Sequence, residues 1–424
     1  MKNVKIIPSN LYGKIKIPPS KSLTHRAIIA AALANRTSKI DNVIFSDDIV
    51  ATCNGIKALG AEVEKTENSL WVKGKGSLNL CKKEIDCNES GSTLRFLIPP
   101  ALLTGEEVTF NGRGRLRKRP LEPYFEIFKK QGIYYNYEQG LPLTVKGNLK
   151  PGNFKIRGDV SSQFITGLLF ALPLLEEDSK ITVTTQLESK GYVDLTMDIL
   201  DRFSIKIENN NYEEFNIKGN QKYIPTDYRV EGDFSQAAFW IVAGILGGEI
   251  ECDDLNMASF QGDRVIVEII EKMGGEVLKL KDKIKTKTSK TKGITVDASQ
   301  CPDLVPILTV LGALSEGRTH IINAKRLRFK ESDRLKAIAT ELNKLGADVK
   351  EEEDGLIING KDRLKGGIVD SWNDHRIAMA LAIASIKCTE PLIITNSDSI
   401  RKSYPDFFRD FEKMGGKVYE WHVG

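Results

Sequence analysis

The sequence predicts an α/β protein of two domains, each assembled from three repeated α/β units. Two markers recur along the 424-residue chain with one period of about 70 residues. The first marker is a polar residue before an apolar helical pattern, and it occurs at Ser22, Ser92, Ser162, Ser235, Asp303 and Asp374. The second marker is a helix end followed by a strand pattern, and it occurs at Gly60, Gly132, Ser204, Gly274, Gly346 and Gly415. Because two independent markers share one period, we infer six repeats.

Each repeat predicts a helix, a strand, a second helix, a strand and a hairpin, in that order. The first helix is an apolar run such as the one from Phe164 to Leu175. The second helix ends at the second marker, where glycine accepts the left-handed conformation without steric cost. The alternation of β-branched residues that follows, as in ALGAEV around Gly60, is a strand signal.

Six repeats in one chain most simply form two domains of three. The best candidate linkers are Pro18-Pro19 and the segment 224–227, since proline restricts its own φ and the conformation of its predecessor. We therefore expect one domain over residues 20–226. The other domain should combine residues 1–19 with residues 227–424.

Composition excludes several classes of function. The 61 Lys and Arg residues against 57 Asp and Glu residues leave a net charge of only +4, which gives no global field for binding nucleic acid or a membrane surface. The amino terminus lacks an apolar signal segment and the longest apolar run is too short to span a bilayer, so we expect a cytoplasmic protein. Six cysteines without a CxxC pair and four histidines without an HExxH motif predict reduced, mostly buried thiols and no metal site.

Cationic residues cluster at or near the starts of the apolar helices. Helix amino termini carry unpaired N–H groups and partial positive charge, so several of them beside such cations predict a strong anion site. The alternative is that Ser22, Ser162 and Asp303 are ordinary N-caps and that the cations form a solvated face. The recurrence at all six repeat starts favours an anion site. The cations are Lys21, Arg26, Arg95, Arg113, Arg115, Arg117, Lys118, Arg119, Lys330, Arg334, Arg376 and Lys402.

Nine segments, in order along nearly the whole chain, resemble the enolpyruvyl transferase family, and within it the branch that acts on shikimate 3-phosphate. They are SKSLTHRA from Ser20, ESGSTLRF from Glu89, RKRPL from Arg117, VSSQF from Val160, SKGYVD from Ser189, VEGDFS from Val230, LRFKESDRL from Leu327, NDHRIAMA from Asn373 and KSYPDF from Lys402. The resemblance implies two three-repeat domains with the active site in the cleft between them. It also implies a monomer without a cofactor, whose partners are only its two substrates, and which glyphosate inhibits.

The resemblance also implies roles for individual residues. Shikimate 3-phosphate would be held by Lys21, Ser22, Arg26, Ser161, Ser162, Gln163, Ser189, Tyr192, Asp303, Arg326 and Lys330. Phosphoenolpyruvate would be held by Lys21, Gly91, Arg119, Gln163, Arg334, Arg376 and Lys402. The implied catalytic residues are Asp303, Glu331, Lys21 and His375, with the two carboxylates moving protons. Two substrates that carry phosphates and carboxylates require many cations, and arginine can bond either group with two parallel hydrogen bonds.

The sequence departs from the usual family pattern at Pro19, Glu89, Ser92 and Arg326. Arg326 stands where an asparagine often helps to hold the shikimate ligand, so that contact stays open. The nearest rival function is enolpyruvyl transfer to UDP-N-acetylglucosamine, but that branch usually has asparagine after the early lysine and a cysteine in the mobile loop. Here Ser22 follows Lys21, and residues 112–119 contain no cysteine.

A second rival, from another class of protein, is a non-catalytic anion-binding protein. Such a protein would gain nothing from Asp303 and Glu331 among its cations, because carboxylates oppose anion binding. The two carboxylates therefore favour an enzyme. Which of them acts as acid and which as base in each half-reaction stays open, because coupled groups titrate together.

Overall fold

The structure is a computed structural model that describes residues 2–422. The chain divides into two compact units. The first unit combines the residues up to Pro18 with those from Glu231 onwards, and the second unit spans Pro19–Val230. The chain thus leaves the first unit at Pro18-Pro19 and returns to it after the second unit is complete.

Helices and strands alternate regularly within residues 2–422. The α-helices are α1 Lys21–Leu33, α2 Asp47–Ala58, α3 Gly91–Ala101, α4 Glu122–Gln131, α5 Gln163–Ala171, α6 Lys190–Arg202, α7 Phe234–Gly247, α8 Ile266–Lys272, α9 Val305–Ala313, α10 Arg334–Lys344, α11 His375–Ala384 and α12 Phe407–Lys413. The strands are β1 Lys2–Ile7, β2 Leu11–Lys16, β3 Thr37–Asp41, β4 Glu62–Lys65, β5 Ser69–Lys73, β6 Glu84–Asp86, β7 Val108–Asn111, β8 Tyr134–Asn136, β9 Leu143–Lys146, β10 Asn153–Ile156, β11 Ser179–Val183, β12 Ile207–Asn210, β13 Glu214–Ile217, β14 Tyr228–Arg229, β15 Gly248–Asp253, β16 Val277–Lys279, β17 Lys283–Lys287, β18 Thr295–Asp297, β19 Arg318–Ile322, β20 Asp348–Glu352, β21 Gly355–Asn359, β22 Gly367–Asp370, β23 Leu392–Thr395 and β24 Lys417–His422.

The sheets are all four-stranded and share one pattern, in which a parallel pair of strands is extended by two further antiparallel strands. In the second unit, for example, β6 pairs with β7 in parallel and β9 joins β7 to β8. The orders in the second unit are β14-β3-β5-β4, β6-β7-β9-β8 and β10-β11-β13-β12, and those in the first unit are β16-β17-β15-β2, β18-β19-β21-β20 and β22-β23-β1-β24. The described residues therefore contain six sheets, one for each predicted repeat.

The amino-terminal strands belong to the first unit because they complete two of its sheets. Strand β1 lies between β23 and β24, with Val4 opposite both Ile394 and Glu420. Strand β2 pairs in parallel with β15, with Leu11 opposite Gly248. These ladders tie residues 2–16 to the carboxy-terminal half of the chain, although the whole second unit lies between them in sequence.

The core of each unit surrounds the first helix of its repeats. Helices α7, α9 and α11 lie in the core of the first unit, and α1, α3 and α5 lie in the core of the second. Every residue of α7 is buried, including Trp240. A helix that is apolar on all sides is stable only when other elements cover it completely. The second helix of a repeat, such as α10, has a polar face and an exposed side.

The predicted helix ends are confirmed, and the α/β class with its repeats is confirmed with them. All six residues of that marker adopt positive φ, between 65° at Ser204 and 101° at Gly60. The predicted helix starts are slightly displaced. Ser22 is inside the first turn of α1, because the hydroxyl of Ser20 accepts a hydrogen bond from Leu23 N–H and starts the helix earlier. No helix within residues 2–422 combines the length and the apolarity needed to cross a membrane.

Candidate active site

In the second unit, Arg26 links the starts of two helices. It projects from α1 and is only 2% exposed. Its guanidinium donates to Ser22 O at 2.7 Å, to Tyr192 O at 2.9 Å and to Thr196 Oγ1 at 2.8 Å, and it lies 5.0 Å from the ring centre of Phe96. Burial lowers the pKa of Arg26 to about 9. Ser22, Arg26 and Tyr192, which were all predicted to hold shikimate 3-phosphate, therefore lie together.

The start of α3 gathers a second group of predicted residues. An ideal Cβ built on Gly91 would lie 2.7 Å from Arg119 Nη1 and 3.5 Å from Gln163 Oε1. Gln163 donates to Ser92 Oγ at 3.0 Å and accepts from Arg95 Nη1 at 2.8 Å. Gly91, Arg119 and Gln163, the predicted phosphoenolpyruvate contacts of this unit besides Lys21, are thus neighbours.

Lys21 opens α1, and its ammonium group lies 2.7 Å from Asp48 Oδ2. The hydroxyl of Ser161 accepts from Gln163 N–H at 3.3 Å, and Ser162 occupies the N-cap position of α5 without a side-chain capping bond. Ser189 precedes α6 with φ of 56°, and it is 2% exposed. The alternative that Ser22 serves as an N-cap is wrong, since Ser20 occupies that position of α1, whereas Ser162 is the N-cap of α5 by position although its hydroxyl makes no capping bond.

In the first unit, Arg334 is the centre of a buried ionic cluster. This side chain is 1% exposed and contacts three carboxylates. Its Nη1 lies 2.8 Å from Asp303 Oδ1, its Nη2 lies 2.5 Å from Glu331 Oε2, and its Nε lies 2.8 Å from Asp374 Oδ2. These three carboxylates favour the charged form and raise the pKa of Arg334 although burial opposes them. The cluster unites two predicted proton carriers with one predicted phosphoenolpyruvate contact.

Asp303 precedes α9 in a 3₁₀ turn, Pro302–Leu304, rather than capping the helix. Its Oδ2 accepts from Arg376 Nη2 at 2.9 Å, and its Oδ1 lies 3.8 Å from Lys330 Nζ. Burial disfavours its charged form, but Arg376, Lys330 and Arg334 together hold the pKa of Asp303 well below its usual value. Asp303 is therefore an ionised carboxylate at neutral pH, surrounded by cations.

Arg326 lies within the 3₁₀ turn Lys325–Phe329, and Lys330 follows this turn directly. Burial lowers the pKa of Lys330 to about 8, with further lowering by Arg334 and Arg326, while Asp303 opposes the shift. Arg326 donates to Ser299 O at 2.5 Å. Arg326 is thus hydrogen-bonded to the backbone of its own unit, and its positive charge repels that of Lys330.

The start of α11 supplies the remaining predicted residues of the first unit. Asp374 caps this helix by accepting from Arg376 N–H at 2.9 Å, and it also accepts from Ser332 Oγ at 3.0 Å. His375 is 1% exposed, with its Nδ1 3.9 Å from Asp374 Oδ1. Lys402 donates to Asn373 O at 2.6 Å. Its burial at a helix start is compatible with a structural role for His375 and also with the predicted catalytic role.

Two further residues, Asp48 and Asp374, carried no predicted role, and Arg95 was predicted only as one of the clustered cations. Asp48 pairs with Lys21, Arg95 orients the amide of Gln163, and Asp374 connects Arg334 to α11. Asp374 and Arg95 stood beside predicted residues in sequence, but Asp48 lies 27 residues from Lys21 and offered no signal. Within residues 2–422, no group of three or more His, Cys, Asp or Glu side chains is arranged to hold a metal ion.

Buried arginines and lysines at repeated helix starts, with carboxylates among them, are typical of an α/β protein that binds small polyanions and transfers protons. A family model described as EPSP synthase (3-phosphoshikimate 1-carboxyvinyltransferase) matches residues 6–411. The chain belongs to this family, which makes it a transferase of the shikimate pathway.

Named relatives extend over the whole chain. It is 62% identical to the 3-phosphoshikimate 1-carboxyvinyltransferase of Clostridium novyi and 57% identical to that of Clostridium kluyveri, with 100% of each chain covered. Among solved structures, the EPSP synthase of Acinetobacter baumannii superimposes with a TM-score of 0.85 at 24% identity, and the match covers 100% of both chains. That likeness supports the fold, and the sequence matches support the family.

Proposed function

We propose that this protein transfers the enolpyruvyl group of phosphoenolpyruvate to the 5-hydroxyl of shikimate 3-phosphate and releases phosphate (EC 2.5.1.19). The observation that carries the proposal is the sharing of Arg334 by Asp303 and Glu331, which joins two potential proton carriers to an anion-binding arginine. An anion-binding protein without catalysis has no use for such carboxylates. Family membership supports the same reaction.

The two units take different shares of the substrates in this proposal. The second unit holds most of shikimate 3-phosphate, where Ser22, Arg26 and Tyr192 lie together beside the start of α1. The first unit contributes Asp303, Arg326 and Lys330 to the same substrate. The first unit supplies much of the phosphoenolpyruvate site through Arg334, Arg376 and Lys402, with Gly91, Arg119, Gln163 and Lys21 contributed by the second. Arginine forks suit the carboxylate and phosphate groups of that substrate.

The reaction proceeds by addition and then elimination. In the addition, the 5-hydroxyl gives its proton to a base and its oxygen bonds to C2 of phosphoenolpyruvate, while an acid adds a proton to C3, giving a tetrahedral intermediate. In the elimination, C3 loses a proton and the bond from C2 to the phosphate oxygen breaks. Asp303 is ionised at neutral pH and is available as an acceptor of the hydroxyl proton, although the cations around it make it a weak base. Glu331, Lys21 and His375 are the other groups available for proton transfer.

The decisive experiment measures phosphate release from phosphoenolpyruvate with each of two acceptors. Release with shikimate 3-phosphate and not with UDP-N-acetylglucosamine is the expected result. Release only with the nucleotide sugar would assign the chain to the sister activity. Binding of shikimate 3-phosphate by calorimetry without any release would leave a binding protein.

The proposal also covers the compartment, the oligomeric state and the binding partners of the enzyme. With a net charge of +4 spread over 424 residues and no cofactor required by the chemistry, we propose a cytoplasmic monomer that acts on small molecules only, without nucleic acid or membrane partners. Light scattering coupled to size exclusion should give a mass near 47.2 kDa. A dimer mass would contradict the monomer.

A further inference from the structure

The segment before α11 has a strained backbone for which the reaction above gives no reason. Trp372 and Asn373 adopt φ of 54° and 53°. Asparagine tolerates this left-handed region, but a bulky residue such as tryptophan rarely occupies it. Backbone strain of this kind persists only where several contacts hold it, and it is most frequent at functional sites. The contacts of Trp372 and Asn373 therefore indicate what holds this segment and what the segment supports.

The carboxylate of Glu341 holds the first half of the segment. Its Oε1 accepts from Trp372 Nε1–H at 2.7 Å, and its Oε2 accepts from Asp370 N–H at 2.9 Å. The side chain of Glu341 is 1% exposed, and Lys344 Nζ lies 2.8 Å from Oε2. Asp370 Oδ1 in turn accepts from Trp372 N–H at 2.6 Å. Because both oxygens of Glu341 accept from this segment, they fix the indole ring of Trp372 relative to the backbone of Asp370.

The second half of the segment supports two residues of the candidate active site. Asn373 O accepts from Lys402 Nζ at 2.6 Å. Asp374 caps α11 and accepts from Arg334 Nε at 2.8 Å. Lys402 and Arg334 both bind phosphoenolpyruvate in the proposed function. A change in the left-handed turn would therefore move the carbonyl oxygen that holds Lys402.

Helix α10 contacts the segment at both of its ends. Arg334 is the first residue of this helix and binds Asp374. Glu341 lies about two turns further along the same face of the helix, and it binds Asp370 and Trp372. One face of α10 therefore fixes the end of β22 and the start of α11 relative to each other.

We propose that Glu341 is a positioning residue for phosphoenolpyruvate binding: it holds the left-handed turn at Trp372 and Asn373, and the turn in its place keeps Lys402 ready for the substrate anion. Glu341 itself does not touch the substrate. The proposal rests on the proposed function for the identity of that anion. Loss of Glu341 should weaken the binding of phosphoenolpyruvate more than that of shikimate 3-phosphate, because most of the predicted contacts of shikimate 3-phosphate lie in the other unit.

The test variant is Glu341→Gln, which keeps the size of the side chain. A glutamine amide has one acceptor oxygen and an NH₂ group that only donates, so it cannot accept from both Trp372 Nε1–H and Asp370 N–H. Phosphate release at varied phosphoenolpyruvate gives KM and kcat, and calorimetry gives the Kd for shikimate 3-phosphate. We expect KM for phosphoenolpyruvate to rise by about tenfold, whereas kcat and that Kd change by less than about threefold.

Lys344→Gln is the matched control. Lys344 contacts the same carboxylate from a side chain that is 48% exposed, so the control removes the ion pair and keeps both bonds from Glu341 to the segment. Its KM for phosphoenolpyruvate should stay within about twofold of wild type. An equal rise in KM for both variants would overturn the proposal, since the ion pair would then be the cause. An unchanged KM in Glu341→Gln would overturn it as well.

The indole group of Trp372 reports the local change separately from activity. The chain has four tryptophans, and an NMR spectrum of their indole N–H groups can be assigned for Trp372 with the variant Trp372→Phe. We expect Glu341→Gln to shift the Trp372 signal and to leave the signals of the other tryptophans unchanged, because a bond to a charged acceptor is lost. A Trp372 signal that does not move would overturn the proposal.

Trp372→Phe keeps the proposal testable if Glu341→Gln does not fold. This variant removes one of the two bonds and retains the one from Asp370 N–H to Glu341. Its KM for phosphoenolpyruvate should rise by about threefold, and an unchanged KM would overturn the proposal. Absence of phosphate release from wild type would instead overturn the proposed function, and the indole signal would then still test whether Glu341 holds the segment.

Discussion

Replacing Gly91 with alanine should move Arg119 and weaken anion binding without destabilising the fold. The new Cβ would lie 2.7 Å from Arg119 Nη1, whereas ordinary van der Waals contact begins at 3.4 Å. The guanidinium must therefore retreat by about 0.7 Å, the difference between those two distances. The backbone of Gly91 does not require glycine, because its φ lies outside the positive range. Since the atom that must move ends a long side chain and alanine favours helices, unfolding by urea should show unchanged or slightly higher stability.

The expected cost in binding follows from the hydrogen bond that Arg119 makes to the substrate anion in the proposed function. A hydrogen bond to a charged group contributes roughly 1.5 to 3 kcal/mol, and a partial loss corresponds to an increase of about tenfold in KM for phosphoenolpyruvate. The family resemblance places Gly91 against bound glyphosate, where the Cβ itself takes up space. The inhibition constant for glyphosate should therefore increase more than KM does.

A double-mutant cycle with Arg119→Lys tests the stated cause. Lysine lacks the guanidinium nitrogen that the new Cβ would displace, so Gly91→Ala should raise KM by less than about threefold in that background. The measurements are phosphate release at varied phosphoenolpyruvate and at varied glyphosate in all four proteins. An equal increase of tenfold in both backgrounds would refute the clash with Arg119 as the mechanism. Indifference of wild type to millimolar glyphosate would refute the inhibitor part.

Three further predictions concern the ionic cluster of the first unit. Asp303→Asn and Glu331→Gln should each lower kcat by a factor of ~10² to 10⁴. The affinity for shikimate 3-phosphate, measured by calorimetry, should change little. A kcat within about tenfold of wild type in both variants would show that neither carboxylate is a proton carrier. Arg334→Met should lower the free energy of unfolding by about 3 to 5 kcal/mol, because three carboxylates lose their buried partner; urea denaturation that matches wild type would contradict this. The pKa of Lys330 is lowered to about 8, so this side chain loses its positive charge as pH rises through 8. The affinity of wild type for shikimate 3-phosphate should therefore fall over that range, whereas that of Lys330→Arg should not, because arginine stays charged. Parallel pH profiles for the two proteins would contradict this prediction.

The fold could be predicted because its repeats mark their own boundaries. A residue at a helix end must tolerate positive φ, and the recurrence of glycine at five of these six points, with Ser204 at the other, made the six second helices visible. Helix starts were less visible, since several hydroxyl residues stand in a row and only the structure shows that Ser20, not Ser22, caps α1. The pairing of β2 with β15 could not be predicted, because strand partners so distant in sequence leave no local pattern.

The residue types of the candidate site could be predicted from the sequence, but the contacts between these residues and their pKa values could not. The resemblance named both Arg26 and Tyr192, yet the bond from the guanidinium to Tyr192 O joins residues 166 positions apart. The lowered pKa of Lys330 depends on burial and on Arg334, and its ammonium group lies 3.8 Å from Asp303 Oδ1, a residue from another segment of the chain. Distances and desolvation are properties of the folded chain, so the sequence could indicate which residues matter but not how their charges balance.

The residues that cap the central helices explain why the two units suit different parts of the reaction. In the second unit, the N-caps of α1 and α3 are Ser20 and Ser90, which are neutral and leave the positive ends of these helices available to an anion. In the first unit, the N-caps of α7 and α11 are Asp233 and Asp374, whose carboxylates already neutralise those ends. An anion there must be bound by side-chain cations such as Arg376, whose guanidinium Asp303 holds through a hydrogen bond of 2.9 Å. In the proposed function, the acids among the cations of the first unit serve proton transfer, and the helix starts of the second unit mainly serve the binding of the phosphorylated acceptor.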